Sequence, residues 1–499
     1  MVRVPQVTVR RTDISVVPNN AKVVGRPYVP GDDPAASGTP RLARIASGVR
    51  SMPGGEVDRA LSDVHDRFKQ RHRDLDRMLW LNSSRVEHLL GGMSERRRHL
   101  VGAYLTQEYA FQAAAITNPS MVPAPDQSGV EPGALRFIMS LRAIGEGHIS
   151  SIAFRSGVVG QDGEIALDED DALAETGERG TPVYDRGHFA NKLTELGADF
   201  ALAGRVLDRL DRRFGPGELD AAISVLDDEP RAVTFETVQL MRWLAASNYL
   251  LRFDSSTTPL QQRLLWPEGP FESKGMEDAR FVRFTEVSGA TTYYATYTAY
   301  DGFEILPQLI QTDDFCSFEM STLSGQSAQN KGMALFPRTI GGTYMALSRP
   351  DRENIHILRS PDPRAWHEPS TLLRRPERSW EMVQMGNCGS PIETDAGWLV
   401  LTHGVGPLRT YRMGAMLLDL DRPDRVIGDL HDPILEPTEE ERDGYVPNVV
   451  YSCGGLRHGD HLVVPYGASD QSTRVAVLPL GELLDALIDS PPSGSTSPS

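Results

Sequence analysis

The chain runs to 499 residues, long enough for two or three domains or for one large domain with an appendage. Apolar residues make up 40% and charged residues 24%, as in globular proteins, while the formal charge of −17 argues against a general nucleic-acid binder, which needs a basic face to neutralise phosphates. No apolar run approaches the roughly 20 residues that span a bilayer, the first residues lack the apolar core of a signal peptide, and Cys316, Cys388 and Cys453 are too scattered for a disulfide framework or a zinc site. A cytoplasmic protein without nucleic-acid or membrane partners is expected.

Residues 1–55 are rich in Arg, Pro and Gly. Pro27, Pro30, Pro34 and Pro40 exclude long regular elements, so the segment reads as an extended N-terminal arm with weak strand signals at 7–9 and 21–24. Residues 56–115 have helical character. Val57, Leu61, Val64 and Phe68 recur at helical spacing, a second helix is expected near 75–90, and a third over 94–115 with Ser94 as N-cap. The run Arg96-Arg97-Arg98 reads as a solvated helix face. At Asn118-Pro119 the character changes: residues 134–142 read as a strand, and a Gly-rich turn leads into a second one. Arg142, Glu146 and His148 then sit at the tip of a hairpin.

A second helical insertion occupies about 181–253, with one helix over 189–214, stopped at Gly215-Pro216, and another over 235–250. From 251 to about 480 short alternating strands and turns dominate. Several end on turns that pair polar with aromatic residues, as at 311–315 and 359–366, and their spacing of roughly 50–60 residues is the scale of a four-stranded propeller blade. A β-sandwich with long loops is the competing fold, but it accommodates an unbroken run of hairpins less well. Residues 486–499 are of low complexity and read as a disordered tail.

One stretch concentrates reactive groups. Lys274-Gly275-Met276-Glu277-Asp278-Ala279-Arg280 opens the alternating run 281–284, ahead of another at 291–298. Two adjacent carboxylates beside an arginine can perturb one another's pKa values, as acid catalysis requires. The plainer alternative is a surface ion pair between Asp278 and Arg280. A propeller gathers its blade loops around one channel, so other turn segments count as well. They hold Lys331 and Arg338, His403, Asn448 and Tyr451, and Tyr466 with Asp470. With Arg142 and His148 these supply the acids, amides and aromatic platforms of a carbohydrate site, and cations for an anion such as phosphate. Each also has a structural alternative: a turn hydrogen bond for His403, surface exposure for Lys331 and Arg338, core packing for Tyr451 and Tyr466. Cys388, without a histidine nearby in sequence, reads as a buried structural thiol.

Gly275-Met276-Glu277-Asp278-Ala279-Arg280 resembles the GxEDPR signature of glycoside hydrolase family 130. Segments 297–302, 331–337, 403–405, 414–420, 446–449 and 466–470 fall in the family's order, and Asn118-Pro119 followed by Arg142 is similar to its first-blade motif. The resemblance implies an all-β catalytic domain over 116–485, a five-bladed β-propeller acting on β-mannosides, to which the helical segments before it and inside it are additions. Most members cleave the mannosidic bond with inorganic phosphate and invert the anomeric centre, giving mannose 1-phosphate; some are β-1,2-mannosidases that use water. By this resemblance Asp278 is the general acid, and Lys331 and His403, with Arg142 and Arg338, bind phosphate. Asn118, Arg142, His148, Glu277, Arg280, Tyr300, Asp301, Asn448, Tyr466 and Asp470 contact the sugar. There are two departures. Ala279 stands in place of the signature proline, and 303–307, where the family usually has a phosphate-binding arginine, carries no cation. Water, with Glu304 or Glu146 as general base, is therefore the alternative nucleophile, and a non-catalytic glycan- or protein-binding propeller is a third possibility. No cofactor is expected beyond phosphate as co-substrate, and the helical segments are the expected surface for a homo-oligomer.

Overall fold

The alternating runs after Gly275 form the expected hairpin, Gly275–Thr285 with Thr291–Tyr300, and bury Phe281, Tyr293 and Ala295 on one face. A computed structural model describes residues 7–31, 39–226 and 232–492. By its internal contacts the chain divides into one unit of Met1–Pro18, Ala114–Glu169 and Gly177–Ser499, and a second of Asn19–Ala113 and Asp170–Thr176.

Antiparallel meanders dominate the first unit. Ala115–Pro123, Leu135–Ile144 and Ser150–Val159 pair in order, with Ile165–Leu167 outermost. A single parallel pair, Ser150 with Gly275, joins them to the meander Gly275–Thr285, Thr291–Tyr300, Ile305–Thr312 and Ser317–Thr322. Next come Ala334–Leu335 to Thr371–Arg374, then Gln384–Asn387 to Val426–Asp429. In the last sheet Val450–Tyr451, His461–Ala468 and Ser472–Pro479 are completed at the edge by the N-terminal strand Arg10–Val16.

Consecutive sheets pack through apolar faces. Ile138 and Phe154 meet Phe281 and Ile310; Phe284 and Leu309 meet Ala346 and Leu358. Leu347 and Ile357 meet Trp398 and Val400, and Leu399 and Met413 meet Leu462 and Val464. The fifth sheet returns to the first: Cys453 N–H donates to the Pro119 carbonyl at 2.8 Å and the Thr473 hydroxyl to that of Ile116 at 3.0 Å. The strand Ala115–Pro123 is thereby held on both sides.

Several boundaries differ from those the sequence suggests. Within the stretch taken as an extended arm, Arg41–Ser51 is a helix that buries Ala46 and Val49. Pro40 directly precedes it, where a missing N–H costs nothing. The third N-terminal helix stops at Tyr104, because Thr106–Ala110 pairs as a strand with Val23–Pro27. The arginine run is not merely solvated: Arg96 and Arg98 pair with Asp58 and Glu87, and Arg97 donates to the Val49 and Met52 carbonyls. In the insertion, the helix expected over 189–214 is two, Arg186–Glu195 and Phe200–Leu207. Gly197 adopts φ +82° between them, and the Asp199 carboxylate caps the second by accepting from Leu202 N–H. The tail begins later than 486, since Leu480–Ile488 is a helix with Ala486 and Leu487 buried; residues 493–499 lie outside those described.

Phe154 lies between the first two sheets, its ring centroid 5.8 Å from those of both Phe315 and Phe318 and 6.0 Å from Phe281. Phe154→Ala is expected to cost about 3–5 kcal/mol, measured as a fall in urea unfolding free energy.

Candidate active site

Two β-bulges build the site. In the pairing of Gly275–Thr285 with Thr291–Tyr300, Glu277 opposes Thr298 and Arg280 opposes Thr296, so the first strand holds one extra residue. Asp278 takes it up with φ +56°. The first sheet repeats the device: Thr117 opposes Arg142, Ser120 opposes Ser140, and Asn118 has φ +48°. Asp and Asn are among the few side chains that tolerate this left-handed conformation. A bulge re-aims side chains that strict alternation would send to opposite faces, and here Asn118 Nδ2 donates to Asp278 Oδ1 at 2.5 Å. Glycine is required at Gly275, φ +130°, where a Cβ would lie 2.4 Å from Ser150 N.

Cations surround the two carboxylates. Arg142 donates to Glu277 Oε1 at 2.5 Å and lies 3.5 Å from Asp278 Oδ1, while its Nε donates to Ser150 Oγ at 2.9 Å. Lys331 donates to the other Glu277 oxygen. Burial pushes the Asp278 carboxyl up, but Arg142, Lys331, Arg280 and the Asn118 hydrogen bond outweigh it and hold Asp278 below the usual carboxylate range. Asp470 is the opposite case: burial raises it to about 6, with Asp278 adding to the rise and Arg142 and Arg409 opposing it. Adjacent acids are thus held in different protonation regimes, the pattern that acid–base sites use.

Arg280 does not form the surface ion pair that its spacing from Asp278 suggested. It is 3% exposed, and its guanidinium donates to the carbonyls of Gly332 at 3.2 Å and Asn387 at 2.8 Å and to Tyr451 Oη at 2.5 Å. It ties its own sheet to segments of the three that follow, rather than reaching outward as a sugar ligand. Near it is a residue the sequence reading passed over. Arg349 follows the strand Tyr344–Ser348, and its Nη1 lies 3.5 Å from His403 Nε2. Burial, with Arg280 close by, lowers its pKa, and no carboxylate pairs with it among the described residues. The available signal was a cation directly after a short strand and before Pro350.

His403 lies within the strand Gly397–Val405, not in a turn, opposite Gly386, where a Cβ would come 2.5 Å from its Cε1. Burial, then Arg349 and Arg280, push its pKa well below the ordinary value, so it is neutral at neutral pH. A guanidinium only donates, so the Arg349 contact leaves the ring proton on Nδ1, which faces Cys388 Sγ at 3.8 Å. That thiol is buried and pushed up to about 12, as a structural cysteine should be, although it does have a histidine neighbour in space.

Other expected residues have partners or exposure of their own. Tyr466 is fully buried and donates to Glu441 at 2.6 Å. Arg338 forks onto Glu393 and lies 4.9 Å over the Trp398 ring, so its charge is engaged away from the cluster. Asp301 accepts from Phe303 and Glu304 N–H in a turn, and Tyr300 Oη donates to the Gly302 carbonyl at 3.0 Å. Glu304 and Glu146 are exposed on turns. His148, φ +63°, contacts the Tyr445 hydroxyl, and Asn448, φ +62°, accepts from Arg442 at 3.2 Å.

A family profile described as beta-1,4-mannooligosaccharide phosphorylase matches residues 254–489. The chain is 33% identical over 233 residues to a beta-1,2-mannobiose phosphorylase of Listeria innocua serovar 6a, a match covering 46% of this chain and 64% of that protein. It is 34% identical over 220 residues to a 1,2-beta-oligomannan phosphorylase of Thermoanaerobacter sp. strain X514, covering 42% and 71%. A solved structure of the Listeria innocua enzyme with beta-1,2-mannobiose superposes with a TM-score of 0.44 at 22% identity, over 75% of this chain and 92% of that one.

A carboxyl whose folded pKa is raised binds its proton more tightly folded than unfolded, so its contribution to stability is lost as pH rises from the unfolded value toward the folded one. For Asp470 that window runs from 3.8 to about 6. Asp470→Asn should therefore gain stability relative to the parent as pH rises through this window and hold a constant difference above it, measured by urea unfolding at successive pH values.

Proposed function

This chain belongs to glycoside hydrolase family 130, and we propose that it is an inverting β-mannoside phosphorylase. It cleaves β-linked manno-oligosaccharides with inorganic phosphate and needs no other cofactor; a cytoplasmic location suits that co-substrate. The observation that carries this reading is the cation group beside Asp278. Arg349, half-buried and without a carboxylate partner among the described residues, adds a guanidinium to Lys331 and Arg280, beside a neutral His403. Arg349 meets the need for a phosphate ligand that the absence of a cation at 303–307 left open. The fold proposed for this centre is a five-bladed propeller. Five meanders packed in sequence, with the fifth hydrogen-bonded back to the first, support it.

Inversion takes one displacement, with the acid on one side of the anomeric carbon and the nucleophile on the other. Asp278 is the acid that protonates the departing oxygen. In the free protein its cationic neighbours hold it as a carboxylate. A phosphate anion placed against Lys331 and Arg349 offsets the pull of these cations and raises the proton affinity of Asp278, so that acid and nucleophile become competent together. Glu277, held by both Arg142 and Lys331, keeps the two cations at this pole. Attack on a β-mannoside with inversion yields α-mannose 1-phosphate.

Hydrolysis by water is the second reading, motivated by the same missing cation. The exposed turn positions of Glu304 and Glu146 give it no buried base. The deciding assay is cleavage of β-1,2-mannobiose, then of β-1,4-mannobiose, with and without phosphate. Mannose 1-phosphate should form only with phosphate, and equal cleavage without it overturns the proposal. Asp278→Asn should lower kcat about 10²–10⁴-fold. Arg349→Ala should raise the KM for phosphate about tenfold or more, with a smaller effect on that for mannobiose.

A further inference from the structure

The helical insertion encloses a cavity that shares no residue with the Asp278 centre. It measures about 320 Å³ and lies between the helices Arg186–Glu195 and Ala232–Ala246 and the sheet strands Tyr249–Arg252 and Ser317–Thr322. That is the low end of the range for small-molecule sites, about 300–1,000 Å³, with room for one monosaccharide unit rather than a chain.

Its lining is mixed in a particular way. Lys192, Arg213 and Arg364 line it together with His188 and the two carboxylates Asp185 and Glu319. Both acids are engaged: Asp185 accepts from Gly187 and His188 N–H at the start of its helix, and Glu319 pairs with Arg364 at 2.9 Å. The hydrogen bond to Asp362 raises the His188 pKa above its ordinary value. Lys192, 6% exposed, pairs with Glu195 at 3.1 Å. Arg213 is exposed, lies across from Asp185 in its strand pair and forms no ion pair among the described residues, so its guanidinium can meet an anion. The rings of Tyr184 and Phe189, which pack on each other and on Phe214, and the hydroxyls of Ser321 and Thr322 also line it. Aromatic faces and hydroxyl partners suit a sugar ring, and a guanidinium with further cations suits a phosphate.

The cavity wall is also wired to the acid-bearing strand. Tyr249 lines it and donates through its hydroxyl to Glu272 Oε2 at 2.8 Å. Glu272 is fully buried and accepts three further hydrogen bonds, from Tyr297 Oη, Gly269 N–H and Glu268 N–H. Tyr297 directly precedes Thr298, the cross-strand partner of Glu277, and the Glu272 turn leads within three residues into Gly275–Thr285. One buried carboxylate therefore joins the cavity wall to both strands of the hairpin that positions Asp278.

We propose that this cavity is a second ligand site, for a phosphorylated monosaccharide, and that its occupancy acts on the Asp278 hairpin through Tyr249 and Glu272. Binding does not depend on the reaction proposed above; only the effect on turnover does.

The test is calorimetric titration of the full chain with mannose 6-phosphate, with inorganic phosphate saturating the Asp278 centre. One site is expected, unchanged in Arg349→Ala and weakened about tenfold or more in Arg213→Ala, a substitution at an exposed residue. Unphosphorylated mannose should bind about tenfold more weakly still. Absence of binding at millimolar ligand overturns the proposal. So does equal binding of mannose, or binding lost in Arg349→Ala and kept in Arg213→Ala, which would assign the ligand to the Asp278 centre. For the coupling, Tyr249→Phe removes one hydroxyl and should retain binding while abolishing the change in kcat that the ligand causes. A ligand that leaves kcat unchanged in the parent, or changes it equally in Tyr249→Phe, rules out the relay. Failure of phosphorolysis itself would leave the binding result standing.

Discussion

The left-handed turn of the backbone at Asp278 is the constraint from which the site follows. A strand with strict alternation would present either Glu277 or Asp278 to a given face. One extra residue in the register breaks that rule and leaves both carboxylates at the same pole of the sheet. The matching bulge at Asn118 brings an amide 2.5 Å from Asp278. Neither distortion survives alone, because a non-glycine residue at positive φ is held only where surrounding contacts over-determine it. Those contacts come from Arg142 and Lys331 on Glu277 and from the packed strands on either side.

Concentrating Arg142, Arg280, Lys331 and Arg349 near one point would be unfavourable unless each charge were compensated. Two solutions are visible. Arg142 and Lys331 share Glu277, and Arg280 is satisfied by two carbonyls and a tyrosine hydroxyl from other sheets, so removing its guanidinium would leave buried acceptors without donors. Among the described residues, Arg349 has only a neutral imidazole at hydrogen-bonding range. A partly buried cation without a counter-charge is costly in the free protein and favourable once an anion arrives. Under the proposed phosphorolysis, a phosphate would offset part of the positive field that depresses the Asp278 pKa, so acid and nucleophile would be linked through charge.

Glu272 shows the same economy at the other end of the hairpin. A fully buried carboxylate with four donors acts as a rigid node, and two of those donors come from elements of different origin: Tyr249 ends the helical insertion and Tyr297 belongs to the hairpin. The insertion is thus continuous with the sheet that carries Asp278.

Much of this was legible along the chain. The hairpin around Asp278, the pairing of 135–144 with 150–159, the helical insertion and the candidacy of Asn118, Arg142, Lys331 and His403 follow from alternation, glycine turns and motif order. Local signals failed where a tertiary partner intervened. Thr106–Ala110 extended the pattern of a helix yet is a strand, because Val23–Pro27 pairs with it. Tyr466 and Arg338 sat in promising segments, but Glu441 in one case and Glu393 with Trp398 in the other occupy them. Arg349 was invisible for the converse reason: its significance is the lack of a counter-ion, and a linear sequence does not display which charges are left unpaired. The residues and their order determined which elements form and which chemistry was available. Only the packing of sheet against sheet decided which side chains meet, which charges cancel and which remain for a ligand, since burial and Coulomb energy depend on distances that sequence separation does not set.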